Sequence, residues 1–113
     1  SGPFHTALLE PASQKLAETL AQVSFSDFTC PLVGNTEAAV MQKEDIAQLL
    51  TRQVKEPVRF YESIGAMQEA GVTNFIEIGP GKVLSGFVKK IDKTAKLANV
   101  EDQASLEVLL ENK

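Results

Sequence analysis

His5 is the only histidine in the chain, and it stands in "SGPFHTALLEPA", between a Gly2-Pro3 turn and the first helical pattern. Imidazole has an unperturbed pKa of about 6.5, so it is the side chain best suited to take and return a proton at neutral pH. A loop at a helix start can project the ring into a cleft while the helix fixes its backbone. The plainer reading is a surface histidine beside a helix cap. A base also needs a nucleophile, and no G-x-S-x-G elbow is present. Ser85 lies in Leu84-Ser85-Gly86, inside a predicted helix where no strained elbow forms, and Ser24, Ser26 and Ser63 lack any supporting pattern.

Cys30, His5 and Asn35 are the residue types of a thiol protease. Cys30, however, precedes Pro31 at a predicted strand start and not at a helix N-terminus, so nothing there activates the thiol; a buried structural thiol is expected. One histidine and one cysteine without spaced carboxylates do not make a metal site, and none is expected. Gly79-Pro80-Gly81-Lys82 joins a predicted strand to a predicted helix, where exposed N–H groups can hold phosphate. It matches neither the P-loop spacing nor G-x-G-x-x-G, so a tight turn is the better reading. Lys89, Lys90, Lys93 and Lys96 read as a solvated helix end, favoured there by the dipole, or as a docking patch if the partner is acidic.

Several elements must position these residues. Leu8, Leu9, Ala12, Leu16, Leu20 and Val23 recur at three- and four-residue spacings, which predicts a helix from Ala7 to Val23 with Thr6 as N-cap and Pro11 in or near its first turn. Pro31-Leu32-Val33 predicts a short buried strand closed by Gly34-Asn35. A helix through "KEDIAQLLTRQV" presents Ile46, Leu49, Leu50 and Val54 on one face and is ended or bent by Pro57. Another from about Val58 to Ala70 turns Tyr61, Ile64 and Met67 inward, with Gly71 as its C′ residue. Phe75–Ile78 predicts a strand, Val83, Leu84, Phe87, Val88 and Ile91 the buried stripe of the next helix, "KLANV" a further strand, and Asp102 or Ser105 the cap of a last helix through Leu106, Leu109 and Leu110. Helices alternating with short apolar strands indicate α/β layering around a parallel sheet. Two or three strands are few for such a sheet, so the chain reads as part of a larger one.

At 113 residues the chain can build one modest core, and with 43% hydrophobic and 23% charged residues its composition is that of a soluble globular protein. A net charge of −4 without an Arg-rich block argues against nucleic acid as partner. The apolar runs fall short of the roughly 18 residues a membrane span needs, and a cytoplasmic protein is expected. A single cysteine excludes an internal disulfide.

Four stretches, "SGPFHTALLEPA", "PLVGNT", "LLTRQVKEPVRFYESI" and "FIEIGPGKVLSGFVKKI", resemble in order and separation the C-terminal third of bacterial malonyl-CoA:acyl carrier protein transacylases. The likeness covers nearly the whole chain and weakens after Ile91. It implies that residues 1–113 form the C-terminal part of an α/β-hydrolase-like parallel-sheet subdomain with flanking helices. It also implies an acyltransferase of fatty acid biosynthesis, with malonyl-CoA and the phosphopantetheine-bearing acyl carrier protein as substrates and no bound cofactor.

By this resemblance His5 is the general base of a serine–histidine dyad, oriented through the main-chain carbonyl of Gln53 in place of a triad carboxylate. Phe4 takes the place of a steric filter against a 2-methyl branch, worth about 1–3 kcal/mol. Asn35 supports the active-site wall. Lys89, Lys90 and Lys93 become a candidate docking patch for an acidic carrier protein. The family's elbow serine, its malonyl-binding arginine, its oxyanion-hole segment and its ferredoxin-like subdomain have no match in this sequence. The stretch alone is therefore expected to be inactive and to associate with the missing N-terminal part or with itself. Two rivals differ in context: an acyltransferase domain of a polyketide or multidomain fatty acid synthase, and a non-catalytic carrier-protein-binding module.

Overall fold

The computed structural model describes residues 4–112, so the expected Gly2-Pro3 turn lies outside the described residues. Two compact units divide between Ala66 and Met67.

In the first unit a 3₁₀ turn, Ala7–Leu9, leads into helix α1, Glu10–Leu20. Thr6 caps that turn, its hydroxyl accepting the Leu8 N–H at 3.3 Å, and Pro11 falls in the first turn of α1, where the missing N–H costs nothing. The helix ends at Leu20, short of the predicted Val23, and Val23 itself is exposed.

A second 3₁₀ turn, Lys43–Asp45, opens into α2, Ile46–Lys55, which packs against α1. Glu56 is extended at the end of α2, because the ring of Pro57 disfavours the helical conformation for the residue before it. Met41, Ile46 and Leu49 form the buried cluster of this unit, with Phe25, Phe28 and Leu50 packed against it. Helix α3, Phe60–Glu69, carries buried Ser63 and Ile64.

Two expectations fail in this unit. Pro31–Val33 is not a buried strand. Leu32 is 40% exposed, and the segment makes a single antiparallel bridge between Val33 and Val40. Its backbone groups are taken by a tight loop, Met41 N–H to the Leu32 carbonyl and Gly34 N–H to the Ala39 carbonyl, with Ala38 at φ 53 making the reversal. Cys30, expected to be buried, is exposed because it belongs to the same surface loop.

The second unit is a strand–helix–strand–helix run. Strand β1, Asn74–Ile78, pairs in parallel with β2, Lys96–Val100, in the register Asn74↔Lys96 to Ile78↔Val100. Helix α4, Val83–Ile91, is the crossover between them, and α5, Gln103–Glu111, packs on β2. This is a mixed helix–strand architecture with a small parallel sheet. Local chemistry sets each corner. Gly71, at φ 92, closes α3 with the paired bonds of a Schellman turn, Gly71 N–H to the Gln68 carbonyl and Val72 N–H to the Met67 carbonyl. Asp102 and Ser105 form a reciprocal capping box at α5.

The predicted burial of apolar stripes is only partly realised. Ile64 and Val88 are buried, but Tyr61, Val83, Leu84, Phe87, Leu106 and Leu110 are exposed, and Ile78 is 83% exposed. A two-stranded sheet has too few neighbouring elements to cover every apolar face that its strands and crossover helix present.

Candidate active site

His5 has φ 58, in the left-handed region that side-chain-bearing residues adopt infrequently. Such a conformation persists where its surroundings hold it, and here the holding is visible on both sides. Following His5, Thr6 caps the 3₁₀ turn. Across the unit, the imidazole Nδ1 lies 2.6 Å from the main-chain oxygen of Gln53 in the last turn of α2. A carbonyl can only accept, so Nδ1 carries a proton, and in the neutral ring the lone pair is then on Nε2. The structure thus brings together two residues 48 positions apart and fixes the tautomer of one by the backbone of the other.

Two further contacts hold α1 and α2 in the register this bond needs, and a third steadies the end of α2. Ser13, 1% exposed, donates its hydroxyl to the Thr51 carbonyl at 2.7 Å. Glu10, at the start of α1, pairs with Lys55 at the end of α2 at 2.7 Å. The Lys55 ammonium, with help from the Gln14 amide, holds the Glu10 carboxyl below the usual carboxylate range. Arg52, next to Gln53, grips Glu56 through two hydrogen bonds of 2.8 and 3.0 Å and pairs with Glu37 from the loop after Asn35. The guanidinium lowers the Glu56 carboxyl, and Glu56 in turn raises Arg52.

Phe4 is 67% exposed beside His5. Asn35 is exposed and accepts the Arg59 N–H on its main-chain oxygen at 2.9 Å, which ties the loop to the start of α3. In the second unit Lys89 and Lys90 stand exposed in the last turn of α4, and Lys93 is exposed in the turn that follows.

The Gly79-Pro80-Gly81-Lys82 turn does not offer its helix N-terminus to a phosphate. Glu77 of β1 already fills that place, accepting the Leu84 N–H at 3.3 Å and the Ser85 N–H and hydroxyl at 2.8 Å each. These donors, the Ser85 amide foremost, hold the Glu77 carboxyl below its ordinary range. Gly79 and Gly81, at φ 139 and 82, shape the turn, and Gly81 N–H is taken by Glu101 at 3.0 Å. The sequence reading singled out the glycines and passed over Glu77, although a strand-end carboxylate six residues before a helix start is a visible signal for a cap. For Ser13 and Thr51 no such signal exists, since 38 residues separate them. Among the described residues no group of three or more His, Cys, Asp or Glu side chains is placed to hold a metal ion. No helix among them is long and apolar enough to cross a membrane.

No family model matches the chain. Individual relatives do. The malonyl CoA-acyl carrier protein transacylase of Bacillus subtilis is 46% identical over 112 residues, 98% of this chain and 35% of that protein. The Escherichia coli protein of the same name is 37% identical over 98% of this chain and 36% of its own length. Among solved structures, MCAT from Streptococcus pneumoniae matches with a TM-score of 0.93 at 90% identity, over 100% of this chain and 37% of that one. A type II PKS acyl-carrier protein in complex with its malonyl-transacylase matches at TM-score 0.88 and 41% identity, over 97% of this chain and 36% of the other. The chain spans about a third of the length of the curated relatives it matches. On these likenesses, the chain is similar over nearly its whole length to the C-terminal segment of malonyl CoA-acyl carrier protein transacylases.

Proposed function

We propose that this chain is the base-bearing C-terminal segment of a cytoplasmic malonyl-CoA:acyl carrier protein transacylase, belonging to its larger, α/β-hydrolase-like subdomain. The observation that carries this reading is the Nδ1–H bond to the Gln53 carbonyl, which leaves Nε2 free to accept a proton. In the first half-reaction Nε2 takes the proton of a serine hydroxyl as its oxygen attacks the malonyl thioester carbonyl. The C–S bond breaks, and the CoA thiolate leaves with that proton. In the second, Nε2 takes the proton of the carrier's phosphopantetheine thiol. The thiolate attacks the seryl ester, and the serine oxygen recovers the proton. One base serves both halves, the logic of double-displacement catalysis.

Gln53 acts only through its backbone. It contributes less charge stabilisation to the imidazolium than a carboxylate would, but it fixes the same tautomer. The nucleophilic serine belongs to the remaining two-thirds of the complete polypeptide, and the uncovered apolar faces of β1 and α4 support pairing with that part. Phe4 narrows the acyl pocket toward malonyl, Asn35 supports its wall, and Lys89, Lys90 and Lys93 receive the acidic carrier protein, whose phosphopantetheine arm supplies the thiol.

The test is His5→Ala in the complete enzyme. Malonyl transfer to carrier protein should fall by about 10²–10⁴-fold, the usual contribution of a positioned acid–base group. Transfer at the wild-type rate would end the reading.

A further inference from the structure

Gln53 offers His5 a free carbonyl because of a residue that takes no part in the bond between them. In an α-helix the carbonyl of residue 53 is bonded by the N–H of residue 57. Residue 57 is Pro57, which has no N–H. The neighbouring bond of that last turn is made in the ordinary way, Glu56 N–H to the Arg52 carbonyl at 3.0 Å, so Gln53 is the first carbonyl of α2 without a helical partner. Pro57 acts a second time through sterics. It holds Glu56 extended, at φ −102 and ψ 152, which ends the helix and turns the chain out of its axis.

We infer that Pro57 is a positioning residue for the base: its tertiary amide keeps the Gln53 carbonyl unpaired within the helix and accessible, and so selects the Nδ1–H tautomer of His5. The inference deepens the reading of His5 as base and rests on it. With a secondary amide at position 57, residue 56 is free to continue the helix. The new N–H then claims the Gln53 carbonyl, and the added turn crowds the approach of the ring.

The complete enzyme with ¹⁵N-labelled histidine tests this, His5 being assigned by its loss in His5→Asn. In the wild type, Nδ1 should resonate as a protonated, pyrrole-type nitrogen and Nε2 as a pyridine-type one. Pro57→Ala should replace that pattern with a mixture of tautomers and lower kcat while leaving the KM for malonyl-CoA in place. N-methylalanine at position 57, introduced by semisynthesis, keeps the tertiary amide without the ring and should restore the wild-type pattern. A pure Nδ1–H tautomer in Pro57→Ala would overturn the inference, and so would failure of N-methylalanine to restore it, since the ring's packing would then be responsible. If Pro57→Ala does not fold, the N-methylalanine protein alone decides by the same criterion. The tautomer is read without turnover, so it stands apart from His5→Ala, whose full activity would instead sink the role of His5 as base.

Discussion

The two units reach order by different means. In the unit up to Ala66, the informative contacts join residues far apart in sequence: His5 with Gln53, Ser13 with Thr51, Glu10 with Lys55. In the unit from Met67, beside the pairing of β1 with β2, the contacts that shape the corners are mostly local: Glu77 caps a helix that begins six residues later, Gly71 closes the helix it follows, and Asp102 and Ser105 cap their own helix. Long-range hydrogen bonds set the orientation of one side chain, which proton transfer requires. Short-range caps and turns set the path of the backbone, which is all that the proposed carrier-docking lysines require.

This contrast can be broken at several points. Leu49→Ala, in the buried cluster one turn before Gln53, should cost about 2–5 kcal/mol in urea unfolding of the complete enzyme. It should lower kcat as well, because the cluster seats α2. Unchanged kcat with lost stability would mean that the site does not depend on long-range packing. In the second unit, reversing the charges of Lys89, Lys90 and Lys93 should raise the KM for carrier protein by about tenfold at low salt and leave malonyl-CoA hydrolysis unchanged. An unchanged KM would remove carrier docking from this unit.

Ser13→Ala should cost about 1 kcal/mol, the net value of one hydrogen bond, because the Thr51 carbonyl loses only its side-chain donor. A loss of transfer larger than the loss of stability would show that the α1–α2 register is tuned for the His5 bond. The smallest effect is expected at Glu77. Its carboxyl is held below its ordinary range by the Ser85 amide and hydroxyl, so the folded pKa is depressed relative to the unfolded chain. The stabilisation is therefore present at neutral pH and is lost as pH falls through the carboxylate range into the folded pKa. Glu77→Gln should flatten the fall in thermal midpoint between pH 7 and pH 3, and an unaltered slope would show that the cap contributes nothing.

The second unit was the more legible in sequence. Its β1, α4, β2 and α5 follow from short apolar runs and period-3.6 patterns punctuated by Gly-Pro-Gly and by Asp102, and the observed boundaries agree to within a residue for β1, α4 and β2. Pro31–Val33 was misread because an apolar tripeptide looks the same in a buried strand and in a surface loop, and only the partners of its backbone groups distinguish them. Cys30 followed the same error. Exposure of Leu84 and Phe87 could not be read from periodicity, which tells which face is apolar and not what covers it.

The sequence by itself determined the order of elements, the helix stops at Pro57 and Gly71, the presence of a single imidazole, and the absence of an N–H at position 57. Those are properties of residue types and their local spacing. Only the tertiary structure decided that the imidazole meets the end of α2, which ring nitrogen is held, and that Glu77 rather than a ligand occupies the N-terminus of α4. Each of these depends on where a chain segment returns in space, and nothing in the spacing of residues along the sequence encodes a hydrogen bond across 48 positions.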